Sequence, residues 1–179
     1  VISSVEIKKN ANRPLIEGDT VQIQQVLMNL TVIARDAMPN GGELLIETKN
    51  VYFDEEYAKK IPPTIPGQFI CFSVTDTGCG ISPEIVSKIF EPFFTTKKAG
   101  VGTGLGLSSV YGIIKGLGGW ISVYSEIGQG TTFKIYLPIS LGSLQSDPNE
   151  NYVKVRGGRE TVLIADDEEG IRNLAKTVL

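Results

Sequence analysis

The amino-acid sequence predicts an α+β protein, with helices packed on one face of a mainly antiparallel sheet. Three observations predict it. Residues 43–53 alternate apolar and polar side chains as a strand requires, through Leu45, Glu47 and Lys49. Residues 21–38 repeat instead at about 100° per residue, which gathers Ile23, Val26, Leu27, Leu30, Ala34, Ala37 and Met38 on one side. Residues 120–125 and 131–137 read as two closing strands around a Gly128-Gln129-Gly130 turn.

The other elements follow in order. Residues 1–8 alternate weakly as a first strand, and 10–14 form a turn. Asp19 or Thr20 caps the periodic helix, which Pro39-Asn40-Gly41-Gly42 stops. Residues 54–67 are polar and proline-bearing, a hairpin loop with a short helical turn. A strand over 68–75 and a short helix over 83–90, capped by Ser82, come next. A glycine-rich stretch then leads into an apolar helix over 105–117. This main body is expected to span 1–138.

Residues 139–159 turn to Ser, Asp, Pro, Asn and Gly and read as a linker. Within 160–179, Thr161 to Ala165 form a buried-type strand, Asp166-Asp167-Glu168-Glu169 an acidic turn, and 171–179 the start of a helix. A lone strand and helix cannot bury a core, so this segment is expected to open a truncated domain.

Composition narrows the function classes. The chain has 179 residues, enough for one well-buried domain and part of a second. A net charge of −3 offers no electrostatic footprint for nucleic acid or an anionic membrane. Cys71 and Cys79 stand alone, without metal-ligand spacing, which favours a reduced, cytoplasmic setting. No apolar run approaches the roughly 18–20 residues that span a bilayer; any anchor of the parent protein would lie elsewhere. The sequence contains no histidine, so no mechanism can use an imidazole from this chain.

Several motifs carry chemistry. Beside the apolar face of the long helix, Gln22, Gln25, Asn29 and Asp36 form a strip, with Ile33 its one apolar member. Such a strip can reach phosphate or a phosphate-bound metal, or simply meet solvent. Asp76-Thr77-Gly78-Cys79-Gly80-Ile81 follows a strand, where a carboxylate can accept hydrogen bonds from an amino group and glycines admit a planar ring. Gly100 to Leu107 (GVGTGLGL) runs into a helix, and its backbone N–H groups suit phosphates. Its spacing fits neither GxGxxG after a strand nor GxxxxGK[ST]. Between the two glycine motifs, IFEPFFTTK places Phe90, Phe93 and Phe94 near Lys97 and Lys98, either an apolar flap with a phosphate-binding cation or a small satellite core.

The order of these motifs is more specific than any one of them. An Asn-bearing helix, then DTGCGIS, IFEPFFTTK, GVGTGLGLSSV and GQGTTF resembles the N, G1, F and G2 boxes and closing strand of histidine-kinase catalytic domains. The resemblance covers roughly 22–138 and implies a Bergerat-type sandwich that binds ATP with Mg²⁺ under a mobile lid over about 93–103. It implies that Asn29 faces phosphate or Mg²⁺, with Asp36 alongside. Asp76 would read the adenine amino group, Gly78, Gly80 and Ile81 shape its pocket, and Thr131 approach the base. Phe93, Lys97, Gly102, Thr103, Gly104, Leu105, Gly106 and Leu107 would surround the triphosphate, and Asn29 and Lys97 would serve the transfer. ETVLIADDEEGIR resembles the first strand and acidic pocket of a receiver domain, where Asp166 and Asp167 would hold Mg²⁺. A receiver after the catalytic domain would make the parent a hybrid kinase. The resemblance implies a homodimeric whole whose upstream dimerisation domain supplies the phosphate-accepting histidine, and a receiver or response regulator downstream.

Two departures sharpen the reading. Gyrase-type, mismatch-repair and chaperone ATPases of similar fold resemble one another in a glutamate that activates water; Asn29 stands there and cannot act as a base. The family pattern also resembles Asn-Leu-x-x-Asn-Ala, against Asn29-Leu30-Thr31-Val32-Ile33-Ala34 here. Ile33 has no lone pair for a metal, so either weakened Mg²⁺-ATP use or near-normal binding with poor transfer is expected. The competing functions are a non-catalytic nucleotide-binding or docking module and a related Bergerat-fold ATPase.

Overall fold

The computed structural model describes residues 2–12, 15–60, 63–97 and 102–140. Lys98, Gly100 and Val101, most of the expected linker, and the receiver-like segment with Asp166 and Asp167 lie outside the described residues.

Five strands form one sheet in the order β1-β2-β3-β5-β4: β1 (Ser4–Asn10), β2 (Glu43–Phe53), β3 (Gly67–Asp76), β4 (Trp120–Glu126) and β5 (Gly130–Pro138). β1 runs parallel to β2, and every other pairing is antiparallel. β3 and β5 are the most buried strands, which makes the middle of the sheet its apolar seam.

The two long helices, α1 (Thr20–Ala37) and α4 (Gly106–Gly116), cover one face. Asp19 caps α1 by accepting from Val21 N–H at 2.8 Å. At its other end the Gly41 N–H donates to Met38 O at 3.2 Å, in the turn expected to stop the helix. Val26, Leu30 and Ala34, one helical turn apart, meet Val110 and Ile114 of α4 above Val74, Phe133, Ile135 and Leu137. This is the main core.

The opposite face carries a smaller aromatic cluster of Phe53, Phe69 and Trp120, with Tyr136 packed against it. The six-residue α2 (Glu55–Lys60) adds Tyr57, whose ring stacks on Phe53 at 5.2 Å. The cluster fixes the end of the sheet remote from Asp76.

Some boundaries differ from expectation. The helix expected over 83–90 is only α3 (Pro83–Val86), and Ser82 makes no side-chain capping bond. The sequence Ile89-Phe90 looks helical because it is apolar, but it turns into the core instead, with Ile89 buried and Phe90 packed beside it. Beyond the expected end of the body, Ile139 N–H donates to Gln68 O at 3.2 Å and Ser140 N–H to Leu15 O at 2.9 Å.

Leu30 is fully buried between the helices and the sheet. Leu30→Ala is expected to cost about 2–5 kcal/mol in chemical denaturation, whereas the exposed Met28→Ala should stay within about 0.5 kcal/mol.

Candidate functional site

The site begins where β3 ends, at Asp76. Asp76 pairs across the sheet with Leu44 on one side and Thr131 on the other, and is only 3% exposed. Its Oδ1 accepts from Gly78 N–H at 2.8 Å, and its carboxylate also accepts from Thr131 N–H. Burial pushes the carboxyl above its ordinary range, against the downward pull of those two N–H bonds.

The loop after Asp76 is held from two sides. Cys79 N–H donates to Ala37 O at 3.0 Å, seating the loop on the last turn of α1. On the other side Gly128 N–H donates to Cys79 O at 2.9 Å, and Ile81 N–H to Ser125 Oγ at 2.8 Å. Gly80 has φ 73°, and a Cβ there would stand 2.1 Å from Glu126 O. Only glycine fits both the conformation and the contact.

The glycine-rich loop meets α1 about two turns earlier. Asn29 Nδ2 donates to Gly106 O at 3.3 Å, at the first residue of α4. Leu105 caps α4 without a side-chain bond, and no acidic residue occupies the first turn. The first N–H groups and the positive end of the helix dipole therefore offer an uncompensated anion site. Gly104, at φ 66°, approaches Phe93 so closely that a Cβ would stand 2.3 Å from its carbonyl carbon. Phe93 N–H donates to Gly104 O at 3.0 Å, and Phe93 itself takes φ 67°, a conformation that costs a non-glycine residue about 1–2 kcal/mol.

The phenylalanines expected as one flap divide. Phe90 and Phe94 pack against the core, and only Phe93 is exposed, at 74%. Leu105 is exposed, whereas Leu107 and Ile81 lie partly buried against the core. Thr103 accepts from Leu105 N–H at 3.4 Å, and Gly102 lies against Thr95 and Lys97.

A third contact joins Asp36 in the last turn of α1 to Lys97. Its Oδ2 accepts from Lys97 Nζ, and its Oδ1 accepts from Arg35 Nε at 3.0 Å and Nη2 at 2.8 Å. The Lys97 hydrogen bond, opposed by partial burial and helped by Arg35, holds the Asp36 carboxyl below its ordinary range. Asp36 thus meets two cations at an exposed position. Ile33 also departs from the expected polar strip: it packs against the core, and a methyl on Gly106 would stand 3.8 Å from its Cδ1.

Sequence reasoning missed Ser125 and the carbonyls of Ala37 and Glu126. The carbonyls have no side-chain signature, and Ser125 reads only as the end of a strand. A separate open cleft of about 320 Å³, lined by Asn12, Asn50, Val51, Tyr52, Gln68 and Ile139, lies toward the other end of β3. It contains none of the expected site residues.

The comparisons agree with this geometry. Residues 18–141 match the family described as histidine kinase-, DNA gyrase B-, and HSP90-like ATPase. The chain is 42% identical over 178 residues to the sensor kinase CckA of Brucella abortus (strain 2308), covering 94% of this chain and 19% of that protein. It therefore spans about a fifth of that relative's length. Among solved structures it is similar to full-length ShkA in complex with AMPPNP, with 31% identity, a TM-score of 0.54, and coverage of 76% of this chain and 26% of that one. It is also similar to histidine kinase ThkA in complex with the response regulator protein TrrA, with 27% identity, a TM-score of 0.56, and coverage of 78% and 34%. No helix of the described residues is long and apolar enough to cross a membrane. Sheet order, glycine loops and family match converge: the chain belongs to the histidine kinase-, DNA gyrase B-, and HSP90-like ATPase family.

Proposed function

We propose that this chain is the ATP-binding catalytic module of a hybrid sensor kinase, delivering the γ-phosphoryl group to a histidine on another domain. The observation that carries the reading is the row of contacts along α1: Asn29 to Gly106, Asp36 to Lys97, and Ala37 to Cys79. One rigid helix thereby sets the spacing between a base-reading carboxylate and a phosphate-accepting helix end. In this reading Asp76 accepts from the adenine amino group, and Gly78, Gly80, Ile81 and Thr131 line the base. The α4 N-terminus from Gly102 to Leu107 meets the phosphates, Lys97 adds positive charge, and Phe93 borders the lid.

The donor set fits Mg²⁺ brought in on the nucleotide rather than held by protein alone. Asn29 Nδ2 is engaged with Gly106 O, leaving Oδ1 as an acceptor. Ile33 offers no lone pair, and Asp36 is already shared between Arg35 and Lys97. Among the described residues no group of three or more His, Cys, Asp or Glu could hold a metal ion. Mg²⁺ commonly takes one or two protein ligands plus phosphates and waters, and neutralises charge on the transferring group. The chain's own part is to orient the phosphates and exclude the wrong base.

With no histidine in the sequence, the acceptor must come from a dimerisation domain. The receiver-like ETVLIADDEEGIR, with Asp166 and Asp167, supports a hybrid parent acting as a homodimer. ThkA, captured with a response regulator, gives the precedent for such a partner. Ile33 favours one second reading, a nucleotide-binding docking module that does not transfer phosphate.

Titration with AMPPNP, with and without Mg²⁺, tests the reading, and absence of binding rejects it. Label from [γ-³²P]ATP should reach a supplied histidine-bearing domain; binding without transfer would select the docking module. Ile33→Asn should strengthen the Mg²⁺-dependent part of AMPPNP affinity by about tenfold or more, and an identical Mg²⁺ effect in both proteins rejects the role assigned to Ile33.

Asp76 supplies a further test because its burial opposes its charge. Its folded-state carboxyl titrates above the unfolded value, so the folded chain holds the extra proton between the two. Stability therefore falls as pH rises from the ordinary carboxyl range through that higher value, and stays reduced above it. Asp76→Asn should remove this loss, leaving thermal stability at pH 7 equal or higher. The same variant should weaken AMPPNP by about tenfold or more, since a charged hydrogen bond is lost. A drop in both would assign Asp76 to structure.

A further inference from the structure

We infer that Ser125 sets the base selectivity of the pocket by fixing the Thr131 hydroxyl as an acceptor, so that the pocket takes a base edge that donates and rejects one that accepts. The inference rests on the nucleotide reading above and concerns a residue outside the expected site.

Ser125, Thr131 and Asp76 lie in one row across β4, β5 and β3. Ser125 pairs with Thr131, and Thr131 pairs with Asp76. Directly paired residues project from the same face of a sheet. All three share the face that carries Val74 and Phe133, and hence the helices.

Ser125 Oγ has three partners. It accepts from Ile81 N–H at 2.8 Å, lies 2.9 Å from Gly130 O, and lies 2.9 Å from Thr131 Oγ1. A serine hydroxyl has one proton and two lone pairs. The amide of Ile81 can only donate, and the carbonyl of Gly130 can only accept. The single Ser125 proton is thus committed to Gly130 O, and the contact with Thr131 is satisfied only if Thr131 donates. With its proton spent on Ser125, Thr131 presents lone pairs alone to whatever enters beside it.

Asp76 adds to the same polarity. Its carboxylate accepts from Gly78 N–H and Thr131 N–H and has only acceptor sites left. Asp76 is 3% and Thr131 4% exposed, so water does little to soften a mismatch. An exocyclic amine satisfies both groups. A carbonyl at the same position, as in hypoxanthine or guanine, meets acceptors on both sides and stays unpaired, the kind of mismatch that discriminates far better than shape. Ser125 never has to touch the ligand. It acts as a positioning residue through the proton of Thr131.

Calorimetric titration of the chain with ADP and with IDP tests this, because adenine has an amine where hypoxanthine has a carbonyl. The accompanying change of N1 from acceptor to donor is common to wild type and variant, so it cancels when their ratios are compared. The wild type should prefer ADP by about a hundredfold or more. In Ser125→Ala the freed Thr131 proton can turn toward the IDP carbonyl, so the ADP-to-IDP ratio should shrink by about tenfold. Loss of the Ile81 bond alone would weaken both nucleotides equally, so an unchanged ratio overturns the inference and leaves the nucleotide reading intact. A wild type that binds neither nucleotide overturns both. Should Ser125→Ala melt out, Thr131→Val reads the same ratio: it should also shrink, with Thr131→Ser restoring it, and an unchanged ratio in Thr131→Val refutes the idea.

Discussion

The rigidity of α1 is the constraint on which the site depends. One stripe of the helix, through Val26, Leu30 and Ala34, is locked into the core. An adjacent stripe then has no freedom to move, and it is this stripe that carries Asn29, Ile33, Asp36 and the carbonyl of Ala37. Together they reach three separate segments: Asn29 and Ile33 the start of α4, Asp36 Lys97, and Ala37 Cys79. From residue 29 to residue 37 a helix rises about 12 Å, a span suited to a ligand with a base at one end and phosphates at the other. The core therefore serves as the ruler of the site. Chemistry that depends on positioning, with little covalent work from the protein, gains most from such a ruler.

Building the site on that ruler has local costs. Asp76 is a carboxylate held away from water, and two backbone N–H bonds offset the burial only in part. Phe93 occupies a left-handed conformation that Gly104 makes possible by packing backbone on backbone. Neither feature stabilises the fold by itself. Both persist because the surroundings over-determine them: Thr77 exchanges two hydrogen bonds with Glu43 beside Asp76, and Phe94 next to Phe93 packs on the core. Strain and burial concentrated at one end of a sheet, with an aromatic cluster at the other, is the distribution expected when stability and binding occupy different ends of one domain.

Periodicity and turn chemistry made most of the fold legible. β2 matches residues 43–53 because an apolar-rich segment lies between the Gly41-Gly42 turn and Asp54, although its burial does not alternate strictly. α1 begins at its Asp19 cap because that carboxylate has a nearby amide to satisfy. The ordered glycine motifs likewise made the loops legible as a set. What the sequence did not reveal depends on register and long range. The Asp36–Lys97 pair bridges 61 positions, so Asp36 read as a free acid on a polar strip. The position of Ile33 against the core depends on where α4 starts, which only packing decides. Ser125 becomes informative only once strand pairing places it beside Thr131 and opposite Ile81 N–H. The over-long helix after Ser82 has a simpler cause: apolar residues bound for the core were read as helix.

The same contacts bear on the proposal that the site transfers phosphate rather than hydrolysing ATP. Water attack needs a base, and the obvious place for one is the α1 stripe beside the phosphates. Asn29 is there, but an amide cannot take a proton, and its nitrogen is already donating to Gly106 O. Asp36 is the one carboxylate on that stripe, and its contacts with Lys97 and Arg35 hold its carboxyl below the ordinary range. A carboxylate whose affinity for protons has been lowered in this way is a poor base. Ile33, between the two, has no group that could take a proton. In the proposed reading the nucleophile would arrive with its own basicity, a requirement that an imidazole on another polypeptide segment would meet where water does not.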